Sequence, residues 1–303
     1  MRVLPTLPLR HLLLALAVVV VWGSNFVVIT QALEHLPPLL LAALRFTFAF
    51  VPGAFLVRRP AVAGSQLLAY ALLIGVGQFG LLYTAMDGGI SPGIASLVVQ
   101  TQVFFTIGLS MWARGERVLR FQWVALLTAA AGIGVIFLHV DGRLTARGLL
   151  LVLLAAFCWG SGNVIARRAN PASMTAYVVW SSALAIGPLL ALACAVEGPS
   201  RILEALRAAD AATWAAAAWQ GLGNTLFGFA AWGWLLARHS SGTVMPIALL
   251  VPVFGMATAA LVTGESLPPW KLLAAALVMT GLAINLTWPR LRAALAARSD
   301  ARP

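Results

Sequence analysis

Amide side chains stand inside long apolar stretches of this chain, among them Asn25, Gln78, Gln100, Asn163 and Asn224. A carboxamide both donates and accepts hydrogen bonds, so such a set can hold the carboxylate and ammonium groups of a zwitterion without reacting with it. Gln78 and Asn224 each follow a Gly-x-Gly, where missing side chains let a neighbour approach the backbone. Gln100 and Gln102 are two residues apart, about 200° around a helix, so one cavity can receive only one of them; Gln100 is assigned to it. Trp22, Tyr83, Trp159 and Phe227 share stretches with the amides. Together they would form an aromatic, weakly polar pocket for large apolar side chains, or ring faces for a cation.

Groups that make and break bonds are not arranged for catalysis. The acids fall at the ends of apolar stretches, and Asp141, Glu197, Glu204 and Asp210 show no paired spacing. No P-loop or nucleophile elbow occurs, which excludes an ATP-driven pump within this chain. Histidines 11, 35, 139 and 239 lie near stretch boundaries, and Cys158 and Cys194 have no CxxC or Cys/His spacing. No metal, cofactor or disulfide is expected. Arg45 is the one basic residue well inside an apolar stretch. A structural ion pair or a snorkelling side chain is the preferred reason, over direct contact with a substrate carboxylate. Coupled carriers often use an intramembrane carboxylate; the lack of one deep in any stretch favours uncoupled, gradient-driven transport.

The elements that must position these residues are membrane helices. The 303 residues are 61% hydrophobic and 10% charged, with a mean hydropathy of +0.93, whereas globular chains are about a quarter charged. About 20 apolar residues cross a bilayer core. Ten such spans are predicted, near 9–30, 36–57, 66–86, 91–113, 119–139, 147–168, 173–196, 212–236, 242–263 and 269–289. The first is a span rather than a signal peptide, since no small-x-small cleavage pattern follows it. The net charge of +11 reflects arginines flanking spans rather than a nucleic-acid surface. With the N-terminus inside, fourteen of the twenty Lys and Arg residues are cytoplasmic and seven of the nine acids are not. Both termini are therefore placed in the cytoplasm.

The spans repeat. Trp22-Gly23-Ser24-Asn25 returns as Trp159-Gly160-Ser161-Gly162-Asn163, and Gly75-Val76-Gly77-Gln78 as Gly221-Leu222-Gly223-Asn224. A Gly-Glu pair closes span four (Gly115-Glu116) and span nine (Gly264-Glu265). An odd number of spans per half turns the second copy upside down, which gives an all-α polytopic membrane protein of ten transmembrane helices in two inverted five-helix repeats. The repeats are set at 8–139 and 147–289, with a cytoplasmic tail at 290–303. Pro92 opens span four, and Pro246 and Pro252 interrupt span nine, where they would act as gates or hinges. Ala130-x-x-x-Gly134 is a candidate close-packing face.

This ordered set, together with Leu44-Arg45-Phe46 in span two, resembles the EamA-type repeat of the drug/metabolite transporter superfamily, and most of all its YddG-type bacterial amino-acid exporters. The resemblance covers about residues 8–289. It implies a ten-helix basket in the bacterial inner membrane that exports amino acids or similar metabolites and drugs; the aromatic pocket favours aromatic and other apolar amino acids, and the inverted repeat favours alternating access. The partners it implies are a small-molecule substrate and the lipid bilayer, with no nucleic acid, and a monomer or weak homodimer. The second half carries Trp180-Ser181 near where the first has Leu44-Arg45-Phe46, so any role of Arg45 belongs to one half. The alternatives are export of drugs or other metabolites, a channel, and an integral-membrane enzyme.

Overall fold

A computed structural model describes residues 7–114, 119–139, 144–239 and 241–299. Glu116 and Asp141 lie outside them. The described residues are helical and contain no strand. Ten long helices follow one another: α1 (Leu9–Leu33), α2 (Pro38–Leu56), α3 (Gly64–Met86), α4 (Pro92–Ala113), α5 (Arg120–Phe137), α6 (Ala146–Ala169), α7 (Met174–Val196), α8 (211–238), α9 (Met245–Thr263) and α10 (Pro269–Ser299). Nine of these, all but α8, are long and apolar enough to cross a membrane. The exception is a continuous helical run, but Gln220 and Asn224 interrupt its apolar character. A short amphipathic helix, Pro199–Ala208, connects α7 to α8. From residue 290 the chain continues α10 to Ser299, as its run of Ala, Leu and Arg, all strong helix formers, favours.

Local chemistry sets the helix starts. Pro38 and Pro92 occupy first-turn positions of α2 and α4, where a missing N–H costs nothing. The Thr145 hydroxyl accepts from Gly148 N (2.9 Å) to cap α6, and the Ser173 hydroxyl accepts from Ala176 N (3.2 Å) to cap α7. Asp210 caps α8 by accepting from the Thr213 amide (2.8 Å) and hydroxyl (2.7 Å). Those two bonds hold its carboxyl below the usual carboxylate range. Phe55, Trp112 and Leu261 are more than four-fifths exposed, the outward apolar surface that lipid requires.

Helix neighbours respect a two-fold exchange of αn with αn+5. The pairs α2 with α7, α5 with α10 and α4 with α9 map onto themselves, while α1 with α9 maps onto α6 with α4 and α1 with α8 onto α6 with α3. The exchange extends to single residues. A Cβ on Gly23 would lie 2.6 Å from Val251 O and 2.7 Å from Phe254 Cβ. One on Gly160 would lie 3.1 Å from Gln102 O and 2.7 Å from Phe105 Cβ. The contacted residues are spaced alike on α9 and α4, so the repeated Trp-Gly marks the place where α1 and α6 seat against their partners. Between α5 and α10, Gly132 meets Ala274 and Val278, and Gly281 meets Ala125 and Ala129. A Cβ on Gly134 would touch nothing within 4 Å, and Ala130 is exposed. The packing of α5 on α10 therefore runs through Ala125, Ala129 and Gly132 rather than through Ala130 and Gly134.

Two carboxylates of the second half cap helices of the first. Glu197, just past α7, accepts from the amides of Leu39 and Leu40 at the start of α2. Gly264, at φ +67°, turns the chain after α9 so that Glu265 reaches the start of α4. There its carboxylate accepts from Ser91 Oγ (2.6 Å) and Gly93 N (3.0 Å) while pairing with Lys271 (2.9 Å). A Cβ at Gly93 would sit 2.8 Å from that carboxylate. Negative charge suits a helix N-terminus.

Candidate functional site

The wound geometry of α3 and α8 departs from the α-helix at matching places. Residues Leu72–Gly80 and Gln220–Phe227 form π-helical stretches, wider turns that recur at functional sites. Each contains the Gly-x-Gly noted above. Gly75 lets Ala185 of α7 in close, and Gly221 does the same for Phe48 of α2.

In α8 the widened turn presents Gln220 and Asn224 to the first half. Arg45 of α2 donates from Nη1 to Gln220 Oε1 (3.0 Å) and to Tyr83 Oη (3.2 Å), and from Nη2 to Asn224 Oδ1 (2.7 Å). Tyr83 Oη donates to Gln220 Oε1 at 2.9 Å, and Asn25 Nδ2 donates to the same oxygen at 3.0 Å. The guanidinium carbon lies 3.8 Å from the centre of the Phe79 ring, a cation–π contact. Trp22 Nε1 donates to Asn224 O at 3.1 Å, its ring 5.3 Å from that of Trp232. The cluster thus joins α1, α2 and α3 of the first half to α8 of the second. A narrow cavity beside it is lined by Arg45, Phe46, Tyr70, Phe79, Ser181 and Phe229. It has room for about one water molecule, well short of the roughly 300 Å³ of a small-molecule site. As it stands it does not admit a small-molecule ligand.

Arg45 is 1% exposed, and no acid bonds it among the described residues, where Lys271 pairs with Glu265 instead. Neither of the two preferred structural expectations for it holds. It is not ion-paired, and its head does not reach an aqueous boundary but is tied to amide and phenol oxygens. Gln220 and Phe79 were not singled out from sequence. Gln220 precedes Asn224 by four residues, the spacing that puts two side chains on one helix face, and that signal was available.

The structure gathers Trp22, Asn25, Tyr83 and Asn224 and leaves the other predicted site residues elsewhere. Gln78 is buried in α3 at the position matching Asn224, with no hydrogen bond to the cluster. Asn163 donates to Gln102 Oε1 (2.9 Å) and Thr106 Oγ1 (3.2 Å) on α4, so Gln102 rather than Gln100 joins an amide pair. Gln100 lies in the 3₁₀ turn Val99–Thr101. Trp159 packs partly buried against the core. Phe227 is 40% exposed, and the ring at the cluster is Phe79. Pro92 begins α4, Pro246 lies in the 3₁₀ turn Met245–Leu249, and Pro252 is buried inside the helix that follows. His11 and His239 meet at 2.7 Å. No group of three or more potential metal ligands forms among the described residues.

Comparison with known proteins gives a consistent picture. The model of the EamA-like transporter family matches twice, at residues 9–138 and 146–287. A Salmonella typhimurium protein named as a probable amino-acid metabolite efflux pump is 41% identical over 286 residues, covering 92% of this chain and 95% of its own. An Escherichia coli protein of the same description is 39% identical, covering 93% and 96%. A probable terminal-alkyne amino-acid exporter of Streptantibioticus cattleyicolor is 26% identical over 87% of this chain and 89% of its own. A solved crystal structure covering 91% of this chain and 95% of that chain has a TM-score of 0.61 at 20% identity, a likeness of fold.

Proposed function

The chain belongs to the EamA-like transporter family, and from that premise we propose that it is a secondary exporter of amino acids, aromatic and other apolar ones among them, working by alternating access in the bacterial inner membrane. The observation that carries this reading is the buried polar cluster shared between the halves: Asn25, Arg45 and Tyr83 from one, Gln220 and Asn224 from the other. A site between two repeats near midplane is what rocking carriers use. Two relatives, both described as probable amino-acid metabolite efflux pumps, support the substrate class.

In this reading the repeats 8–139 and 147–289 are the moving bodies, with α8 as the tenth span, the second repeat inverted and both termini cytoplasmic. The face capped by Glu197 and Glu265 is then the outer one. Gln78, Gln100, Trp159, Asn163 and Phe227 line the wider path that opens as the repeats part. Pro246, within the 3₁₀ turn of α9, Pro252 just after it, and Pro92 at the start of α4 absorb the bending. The substrate moves down its own gradient, since the carboxylates sit at helix ends, where Glu197 and Glu265 already serve as caps. The carrier acts as a monomer or weak homodimer.

Uptake of labelled amino acids into liposomes holding only the purified protein tests the proposal. Saturable flux without any ion gradient is expected, reduced at least tenfold in a folded Gln78→Ala, Asn224→Ala variant. Flux that begins only with a proton or sodium gradient would overturn the uncoupled mechanism. Absence of amino-acid flux under every gradient would overturn the substrate class in favour of drugs or other metabolites.

A further inference from the structure

We propose that Arg45 is the receptor for a substrate carboxylate and that this carboxylate is the obligatory recognition element; the proposal rests on the reading of the cluster as the transport site. A guanidinium stays charged throughout the physiological range, and a buried charge without a counter-ion is costly. Arg45 nonetheless spends its hydrogen bonds on a phenol and two amides, with an aromatic face as its remaining company. Nothing in that set is anionic. The arrangement suits a site whose counter-ion arrives with the ligand.

The hydrogen bonds left unmade point the same way. Arg45 Nε is buried and donates to nothing. Gln220 Oε1 receives three donors, from Asn25, Arg45 and Tyr83, while its Nε2 is buried and donates to nothing. Asn25 Oδ1 is buried and accepts nothing. Two unspent donors and one unspent acceptor thus lie around a single positive charge. A carboxylate fits the donors, since guanidinium and carboxylate pair in a bidentate way that an amide oxygen does not match. An ammonium group fits the acceptor. The adjoining cavity, with Phe46, Phe79 and Phe229 on its wall, continues from the charge into ring surfaces suited to an apolar side chain.

This assignment also couples ligand to motion. Arg45 ties α2 of one half to α8 of the other through Gln220 and Asn224. A carboxylate taking over the guanidinium releases both amides, so binding weakens a bond between the halves at the moment the site fills.

The test compares phenylalanine with three analogues of nearly the same shape as competitors of labelled phenylalanine flux in proteoliposomes: phenylalaninamide, phenethylamine and 3-phenylpropionate. Phenylalanine and 3-phenylpropionate should compete, while the amide and the amine should be weaker by at least about tenfold, as a site built around a particular polar group rejects analogues lacking it. Binding to purified Arg45→Gln and Arg45→Lys protein, read by thermal shift, adds a second readout: the glutamine variant should no longer distinguish acid from amide. The comparison on the unaltered protein stands even where these variants fail to fold. If phenylalanine moves but the amide competes equally well, the carboxylate assignment is overturned and the exporter reading survives. If neither phenylalanine nor any analogue binds or moves, the exporter reading falls and the assignment with it.

Discussion

At the scale of residues, one oxygen holds the centre together. Gln220 Oε1 receives three donors, and for two of them, Asn25 Nδ2 and Tyr83 Oη, it is the sole acceptor among the described residues. Replacing Gln220 with leucine would strand them, and a buried donor without an acceptor costs about 1–3 kcal/mol. Gln220→Glu should act in the opposite sense on stability. It keeps the acceptor and gives Arg45 an anion, so the melting temperature in detergent should rise while amino-acid flux falls, because the counter-ion is then permanent. Unchanged flux in Gln220→Glu would mean that the charge of Arg45 is not needed for binding. The repeated Trp-Gly was legible as a sequence echo. The amides after it were not fully legible, because Gly162 makes the second copy one residue longer. That residue sends Asn163 to α4, whereas Asn25 faces α8. Gly162 is the positional counterpart of Asn25, and a Cβ there would meet Ile74 of α3, at the place where Asn25 meets Gln220. Neither residue type advertises that equivalence.

Elements show where composition informs and where it misleads. Hydrophobic length located the spans, since lipid leaves a helix little alternative. The same property underrates α8, whose polar residues are the ones facing the first half. Close packing is harder to read, because a small residue on a membrane helix is compatible with either face. Gly132 and Gly134 are two residues apart and behave oppositely. A methyl at Gly132 would lie 2.9 Å from Ala274 O and 2.8 Å from a Val278 methyl, so Gly132→Ala should destabilise by about 1–3 kcal/mol through overpacking. Gly134→Ala meets open space and should be neutral or stabilising by up to about 1 kcal/mol, the helix preference of alanine over glycine. Thermal unfolding of the two variants side by side measures this, and equal melting temperatures would contradict the α5–α10 interface.

For the whole molecule, the ties between halves matter most. Glu197 is held at the start of α2, and burial pushes its carboxyl above the ordinary value of 4.5; the amides of Leu39 and Leu40 and nearby Arg201 pull it down by less, while Asp87 adds to the rise. A carboxyl raised on folding binds its proton more tightly folded than unfolded. Stability therefore falls as pH rises from about 4.5 through the raised folded value. Glu197→Gln should flatten that slope in a pH series of melting temperatures, and an unchanged slope would place the titrating group elsewhere.

The frame formed by these helices obeys a two-fold exchange, yet its charged cluster does not, since Gly162 and Ile74 stand opposite Asn25 and Gln220. Under the proposed alternating access, a carrier so built would offer its one site through two unlike vestibules. Half-saturation measured from one side need not equal that from the other. Detailed balance still constrains a passive carrier: the ratio of maximal rate to half-saturation must be the same in both directions, however unlike the separate values are. The off-axis cluster can make the protein a better receiver on one face, but only a concentration difference can make it an exporter.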